Sequence, residues 1–416
     1  MLVMFSPMLF AQADIDSPYS MFGIGQVKDK AMNARLRGMG GVANAMHSKN
    51  LINVANPASY GMIDTLAFLF DAGMYFKTAT FSSSSMSEKS ANANFDYIAM
   101  AFGITDWWRL SLGAQPYANV GYNLTVKSFK EDVGSYATTF NGSGGLNQAF
   151  IGTAFRIGKH VSIGANMKYV FGDTETLTTL NFPDSSYMIG TRRGVDLMVK
   201  SFMFDYGVLF DTPLGNDMSL SIGVTYNQKV NLRGEQTLFI RSVEADGETD
   251  IEYVIDTIQY EKMPNARLAM PHGAGLGVVL RKNNSWTIGA DFNWTQWSKF
   301  ARQGTNDSLR DAWRVALGGE YQPRTSSVSG YFTRASYRLG GFYEQTYLYV
   351  RGHQLSKFGI TAGISLPIPR TLSKVNIGLE FGQCGTKSYG LIQERYFNVS
   401  VGVSVFERWF IKRKYQ

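Results

Sequence analysis

After residue 64 the chain keeps repeating one piece of grammar. A turn rich in Gly, Asn, Asp or Lys leads into an alternation that sets Ser, Thr or Asn, and then Gly, on one face. It occurs as TDWWRLSLG from Thr105, GKHVSIGA from Gly158, GNDMSLSIGV from Gly215, NNSWTIGA from Asn283 and LSKVNIGLE from Leu372. Parity sorts the residue types. Val161, Ile163, Ala165, Met167, Tyr169 and Phe171 share a face, with Ser162, Gly164, Asn166 and Lys168 opposite; Trp286, Ile288, Ala290 and Phe292 likewise oppose Thr287, Gly289, Asp291 and Asn293. A period of two with unlike faces is the mark of a β-strand. Strands of soluble sandwiches are mostly about 3 to 10 residues long. Here the alternation persists for roughly 10 residues or more, the length a tilted strand needs to cross hydrocarbon.

Composition agrees. Charged residues make up 18% of the chain, below the roughly 25% usual in soluble domains. Aromatics reach 14% and there are 43 glycines, a balance that favours an all-β protein. No segment approaches the roughly 18 consecutive apolar residues of a membrane helix, so any membrane must be crossed by strands. The first residues, MLVMFSPMLFAQAD, carry an apolar run and then Ala11-Gln12-Ala13, which fits a secretory cleavage site without a basic n-region. Residues 1–13 are therefore expected to be a signal peptide cleaved near Ala11 to Ala13. Cys384 is the single cysteine, which excludes an intramolecular disulfide and a thiolate metal cluster. The net charge of +7 comes without a nucleic-acid motif.

The connections fall into two kinds. Those in the repeated grammar are short, whereas 81–94, 127–146, 172–198, 234–264 and 299–311 read as long polar loops. Short turns on one side and long loops on the other are the pattern of a bacterial outer-membrane barrel. Counting strands from Thr65 to Phe410 gives about fourteen, and the even number suits closure. Trp107, Trp108, Trp286, Trp294, Trp297, Trp409 and Phe410 lie near expected strand ends, where an interfacial girdle would sit. The last strand, FNVSVGVSVF from Phe397, resembles a terminal assembly signal.

Residues 14–64 lack the alternation. Phe22, Ile24, Leu51, Ile52, Val54 and Tyr60 nonetheless need burial, so the segment is expected to be a plug inside a barrel spanning 65–416. One barrel strand carries an anomaly. In WRLSLGAQPYANVGYNLTV, from Trp108, parity predicts one strand with Arg109, Ser111, Gly113, Gln115 and Tyr117 facing in. Leu110, Leu112, Ala114, Pro116, Ala118 and Val120 face out. Pro116 has no N–H for a neighbour and normally marks an edge, a bulge or a break. Gly113, Gln115, Pro116 and Tyr117 are therefore the expected kink in the third strand.

Catalysis finds little support. His47, His160, His272 and His353 are scattered, with no metal-ligand spacing and no nucleophile motif. Neither a metal nor a cofactor is expected. Parity places Lys168, Asp291, Arg314, Glu320, Arg338, Glu344 and Glu380 in the lumen. A carboxylate ligand would need a cation there. Arg314 is the first choice, then Lys168 and Arg338; internal Arg–Glu cross-links are the competing role for each.

Several stretches together resemble the outer-membrane long-chain fatty-acid transporter family of FadL/TodX type. Arg37-Gly38-Met39-Gly40-Gly41-Val42-Ala43 with Asn56-Pro57-Ala58 resembles its hatch. MPHGAGLGVVLRKNNSWTIGADFNWTQWSKF, from Met270, resembles its late hairpin with Trp294, Trp297, Ser298 and Phe300. Asp311 to Gly318 and Tyr337 to Gly341 continue in the same order. The opening SPYSMFGIG is similar instead to a Bacteroidota-like variant. The resemblance implies a hatch over 14–64, passive transport of hydrophobic compounds such as long-chain fatty acids, and lateral exit at a kink in the third strand, where Pro116 lies. Outer-membrane lipid and lipopolysaccharide are the expected surroundings of a monomeric barrel with a hydrophobic small-molecule ligand. The alternative is a structural or assembly subunit of an outer-membrane complex, docking through 234–264 and Lys412-Arg413-Lys414.

Overall fold

The computed structural model describes residues 17–408, apart from 32, 185–187, 246–251, 283–284, 324–329 and 370. The expected signal peptide, the girdle residues Trp409 and Phe410, and the basic tail lie outside the described residues.

Fourteen antiparallel strands close into a barrel. They are β1 (Ala67–Ser82), β2 (Ser87–Gly103), β3 (Trp108–Asn119, resuming as Tyr122–Lys130), β4 (Gly134–Ile157), β5 (Val161–Asn181) and β6 (Gly190–Gly215). Next come β7 (Met218–Asn227, resuming as Val230–Ala245), β8 (Glu252–Met270, resuming as Gly273–Lys282), β9 (Trp286–Thr295) and β10 (Ala312–Tyr321). β11 (Ser336–Val350), β12 (His353–Pro367), β13 (Lys374–Cys384) and β14 (Gln393–Arg408) complete the circuit. β14 pairs back onto β1 from Ala67↔Arg408 to Ser82↔Gln393. Closure leaves the wall without the free edges of an open sheet, which would set polar backbone in lipid; the pairing of β2 with β3 is a place where the ladder is incomplete.

The parity reading holds in the wall. On β6, Phe202, Phe204, Tyr206, Val208 and Phe210 all face outward and are exposed; on β5, Ser162 and Asn166 are fully buried. The expected long loops are mostly something else. Residues 81–94 form a hairpin between Ser82 and Ser87, and β4 and β5 stay paired from Ile157↔Val161 up to Ala137↔Asn181. Above the membrane both faces of a strand meet water, so alternation fades while backbone pairing continues. Among the described residues of these stretches, 299–311 keeps the most loop character, with two-residue strands at Ala301–Arg302 and Thr305–Asn306.

The girdle is partly as expected. Trp107 is exposed and stacks on Trp108 and Phe155, with ring centroids 6.4 and 5.9 Å apart. Trp297 departs from it: buried, it stacks on Tyr347 at 4.5 Å inside the lumen.

Residues 33–62 fill the periplasmic half of the lumen. Asn33 caps the single helical turn Ala34–Arg37, α1, by accepting from Leu36 N. Asn56 Oδ1 accepts from Ala58 N at 3.0 Å, starting the 3-10 turn Pro57–Met62. Leu51, Ile52, Val54 and Tyr60 are buried as their composition required. The repeated grammar now has a cause. A Cβ on Gly223 would lie 1.9 Å from Asn44 O, and one on Gly164 would lie 2.5 Å from Pro57 C. Gly289 and Gly378 face Val42 and Ala34 in the same way. Nearby polar rungs hold the same segment, as where Ser162 Oγ donates to Ala58 O at 2.7 Å. Four of the five repeats thus record where the wall receives hatch residues.

Candidate functional site

Strand β3 leaves the wall partway up. Its pairing with β2 runs from Gly103↔Arg109 to Ile98↔Ala114 and stops. Gly113 permits the close approach just below, since a Cβ there would lie 2.3 Å from Ile98 O. Beyond Ala114, β3 follows β4 into the lumen, with a register shift between Pro116↔Asn147 and Ala118↔Leu146. The extra residue is Tyr117, and a bulge of this kind reverses which face later residues occupy. Ala118, Val120 and Tyr122 are buried, so the expectation that Ala118 and Val120 face outward is overturned. The single strand expected over 108–126 is also interrupted, at Val120 and Gly121.

Hatch residues occupy the place that β2 vacates. Gln26 and Val27 pair antiparallel with Asn119 and Ala118. Lys28 N donates to Tyr117 O at 3.0 Å, and Ser17 N donates to Gly121 O at 3.3 Å. Among the described residues, β2 from Ser87 to Tyr97 pairs only with β1.

Behind this break lies a lumenal cavity of about 200 Å³. Val27 to Ala31 form one wall; Gln115, Pro116 and Tyr117 form another; Lys168, Met203, Asp205, Trp297, Arg314 and Tyr347 contribute from the barrel. The cavity therefore brings together Pro116 and its neighbours with Arg314 and Lys168. Gly113, Arg338 and Asn56 are not in its lining.

Each expected cation has a partner. Arg314 Nη1 meets Asp29 Oδ1 at 2.6 Å and Glu344 Oε2 at 3.6 Å, and its guanidinium lies 4.0 Å over the Phe342 ring. Lys168 forms an ion pair with Asp205. Arg338 lies lower, where Nε meets Glu320 Oε2 at 2.6 Å and Nη1 donates to Ser365 Oγ at 2.7 Å. Arg35 of α1 shares that glutamate at 3.2 Å. Parity identified the lumenal face of all three cations but not their height or their partners.

The hatch run Lys28-Asp29-Lys30 escaped the sequence reading. Its signal was present: three consecutive charges in a segment made of small and apolar residues. Burial alone would raise the Asp29 carboxyl, but Arg314 and Lys357 together hold it well below the usual carboxylate range. Lys30 is different. Its ammonium donates to Asn227 Oδ1, whose Nδ2 donates to Asp205 Oδ1 at 2.6 Å. Among the described residues Lys30 has no ion pair, and burial lowers it to about 8, with Asp205 opposing and Lys168 reinforcing. Gln115 Oε1 and Gln148 Oε1 line the same space without a protein hydrogen-bond partner.

One cluster has the residue types of a hydrolase. His47 Nε2 lies 3.1 Å from Asp211 Oδ1 and 3.0 Å from Ser221 Oγ, while Ser221 Oγ donates to Asp211 Oδ1 at 2.7 Å. A nucleophilic relay needs the acid on one ring nitrogen and the hydroxyl on the other. Here one nitrogen meets both, and Ser221 is fully buried. The cluster fastens the hatch to the wall.

A closed fourteen-stranded barrel, apolar outside, occupied by an N-terminal hatch and broken beside a lumenal cavity, defines a bacterial outer-membrane protein of the FadL fold. The Ralstonia pickettii toluene transporter TbuX has this fold, with a TM-score of 0.61 and 14% identity over 92% of this chain and 100% of that one. The Pseudomonas putida toluene transporter TodX matches at 0.58 and 16%, over 92% of this chain and all of its own. A Pseudomonas aeruginosa FadL homologue matches at 0.59 and 13%, over 94% and 100%. At these identities the likeness shows the fold. No curated protein matches the chain. The family model BamG matches residues 1–416, and the chain belongs to the BamG family.

Proposed function

We propose that the protein is a passive outer-membrane transporter for hydrophobic compounds, long-chain fatty acids among them, with exit sideways through the wall at β3. The observation that carries this reading is the double position of Gln115, Pro116 and Tyr117: they line the cavity and sit where β3 leaves β2. An acyl chain gains about 0.8 kcal/mol for each methylene taken out of water, so a route from cavity to bilayer suits it better than a watery pore. The solved proteins of this fold include toluene transporters, which supports a hydrophobic cargo at the coarse level. Lys30 and Lys168 are the cations for a carboxylate head. Arg314 ties the hatch through Asp29, and Arg338 belongs to the lower ion network.

Uptake of a fluorescent fatty acid by whole cells tests the proposal. It should depend on the protein, and Pro116→Val should reduce it without lowering barrel assembly, by letting β3 run straight alongside β2. Uptake unchanged on deletion of the protein would defeat the transport reading. Normal uptake in Pro116→Val would leave the proline as a bulge that shapes the barrel.

A second reading, a structural subunit of an outer-membrane complex, draws on the tight seating of the hatch and on the size of the cavity. About 200 Å³ is below the range of roughly 300 to 1,000 Å³ common for ligand pockets. Native mass spectrometry of detergent-purified protein separates the two: a bound acyl chain supports transport, and a stoichiometric partner without lipid supports the scaffold.

A further inference from the structure

The upper part of β8, Glu252–Met270, ends in an edge that the barrel does not close. On one side it pairs with β7 from Ala245↔Glu252 to Val230↔Met270. On the other, among the described residues, it meets only Arg302 and Ala301 at Leu268 and Ala269, and Gln303 at Arg267. Among the described residues, Glu252–Met263 therefore presents a row of main-chain groups with no strand beyond. Natural edges of this length are usually shortened, bulged or charged to prevent pairing. This one is bulged at Ile255 and Ile258, where its register with β7 shifts, yet it still carries Tyr253, Val254, Ile255, Ile258 and Tyr260, which are 57%, 51%, 49%, 62% and 61% exposed.

Its height rules out lipid as the cover. The ten residues of Gly273–Lys282 are enough to cross the hydrocarbon. Met263 lies a further ten positions up the chain, about 30 Å along a strand. These apolar side chains stand in water, where such a patch marks an interaction site.

Charge distinguishes the occupants. Lys262 is paired with Glu235 at 3.4 Å, while Asp256 and Glu261 are exposed and, among the described residues, have no ion pair. Two copies standing upright in one membrane would bring this edge together in parallel, setting Asp256 beside Asp256 and Glu261 beside Glu261. An antiparallel pairing centred between Ile258 and Gln259 would set Asp256 opposite Glu261. Like charges directly opposite destabilise a strand pair. We infer that the β8 edge from Glu252 to Met263 is an extracellular docking site for an extended segment of a different protein, one that alternates apolar residues with Lys or Arg and adds to the sheet as a further strand.

The test uses full-length protein in detergent and two short peptides, one alternating valine with lysine and the other valine with glutamate. The basic peptide should bind at least about tenfold more tightly, a difference of about 1.4 kcal/mol, and should slow amide exchange within Glu252–Met263. Ile258→Pro, which distorts the edge at its bulge, should weaken it by about tenfold. Glu261→Lys, which keeps the backbone and reverses the local charge, should also weaken the basic peptide; heat-modifiable gel mobility checks that both variants fold. Equal affinity for the two peptides, or protection confined to other strands, would overturn the proposal. So would sedimentation showing a dimer that Ile258→Pro dissolves, because the occupant would then be a second copy.

Discussion

The hatch is held in the barrel by close packing and by ion pairs and hydrogen bonds, in proportions that differ along it. From Asn33 to Met62 its backbone lies against wall glycines, and its polar groups are gripped by buried side chains. Asp291 Oδ2, for instance, accepts from both Ala43 N and Asn44 N at 2.7 Å. From Ser17 to Ala31 it is held by a two-residue strand pairing, single hydrogen bonds, the Asp29–Arg314 ion pair, the buried side chains of Tyr19 and Ile24, and a close backbone approach at Gly25, where a Cβ would lie 2.4 Å from Asn119 O. Close packing against backbone has one solution, whereas ion pairs and short strand pairings can be exchanged at little cost. The lower hatch, with more backbone contacts to wall glycines, is therefore expected to be the more firmly seated part, and the upper hatch the part that yields first around the cavity.

The largest expected effect is in the floor. Gly223→Val would drive a side chain into Asn44 O, and overpacking at a site that cannot move costs about 3 kcal/mol. The folded band in unboiled gels should melt at a much lower temperature. If Gly223→Val melts like wild type, the lower hatch is not keyed to the wall. Arg338→Met should rank second. Removing one partner of a buried pair costs about 3 to 5 kcal/mol when the other is left bare; Arg35 remains beside Glu320, so about 2 kcal/mol is expected by the same measurement.

The upper hatch should respond differently. Arg314→Gln removes the 2.6 Å contact to Asp29 but leaves Lys357 at 3.8 Å, so the melting temperature should fall by the equivalent of about 1 to 2 kcal/mol, below the full cost of baring a buried partner. Amide exchange in residues 26–31 should quicken while residues 33–62 stay protected. Equal quickening in both segments would erase the distinction between them.

These differences also explain what could be read from the sequence. Alternation is dictated by lipid outside and hatch inside, so the wall, its strand number and the inward face of Lys168, Arg314 and Arg338 were legible. Above the membrane that asymmetry vanishes, and 172–198 looked like a loop although β5 and β6 remain paired from Val161↔Phe210 up to Leu180↔Thr191. Pro116 signalled a disturbance. The bulge that turns Ala118 inward was hidden because alanine suits either face. Trp297 looked like a girdle residue because proximity to a strand end does not tell the lumen from the lipid. The partners of Arg314 and Arg338 depend on hatch residues far away in the chain, and no local pattern encodes such meetings.

The smallest and most selective effect concerns Lys30. Its partner Asn227 is neutral, and burial brings the ammonium down to about 8, so its charge is lost just above neutral pH. A carboxylate ligand drawn by that charge should bind well below pH 8 and weaken by up to about tenfold for each pH unit above it. Lys30→Arg, charged throughout, should remove the decline; Lys30→Met should bind about tenfold more weakly at pH 7 and show no decline. Stability must move in the opposite direction. Between pH 8 and the ordinary lysine range the unfolded chain binds the extra proton, so wild type gains stability as pH rises through that window. Lys30→Met should lack the gain. A fluorescent fatty acid titrated against all three proteins across this range decides the matter: a decline in wild type alone places Lys30 at the carboxylate, whereas a shared decline assigns the titration elsewhere and removes Lys30 from the site.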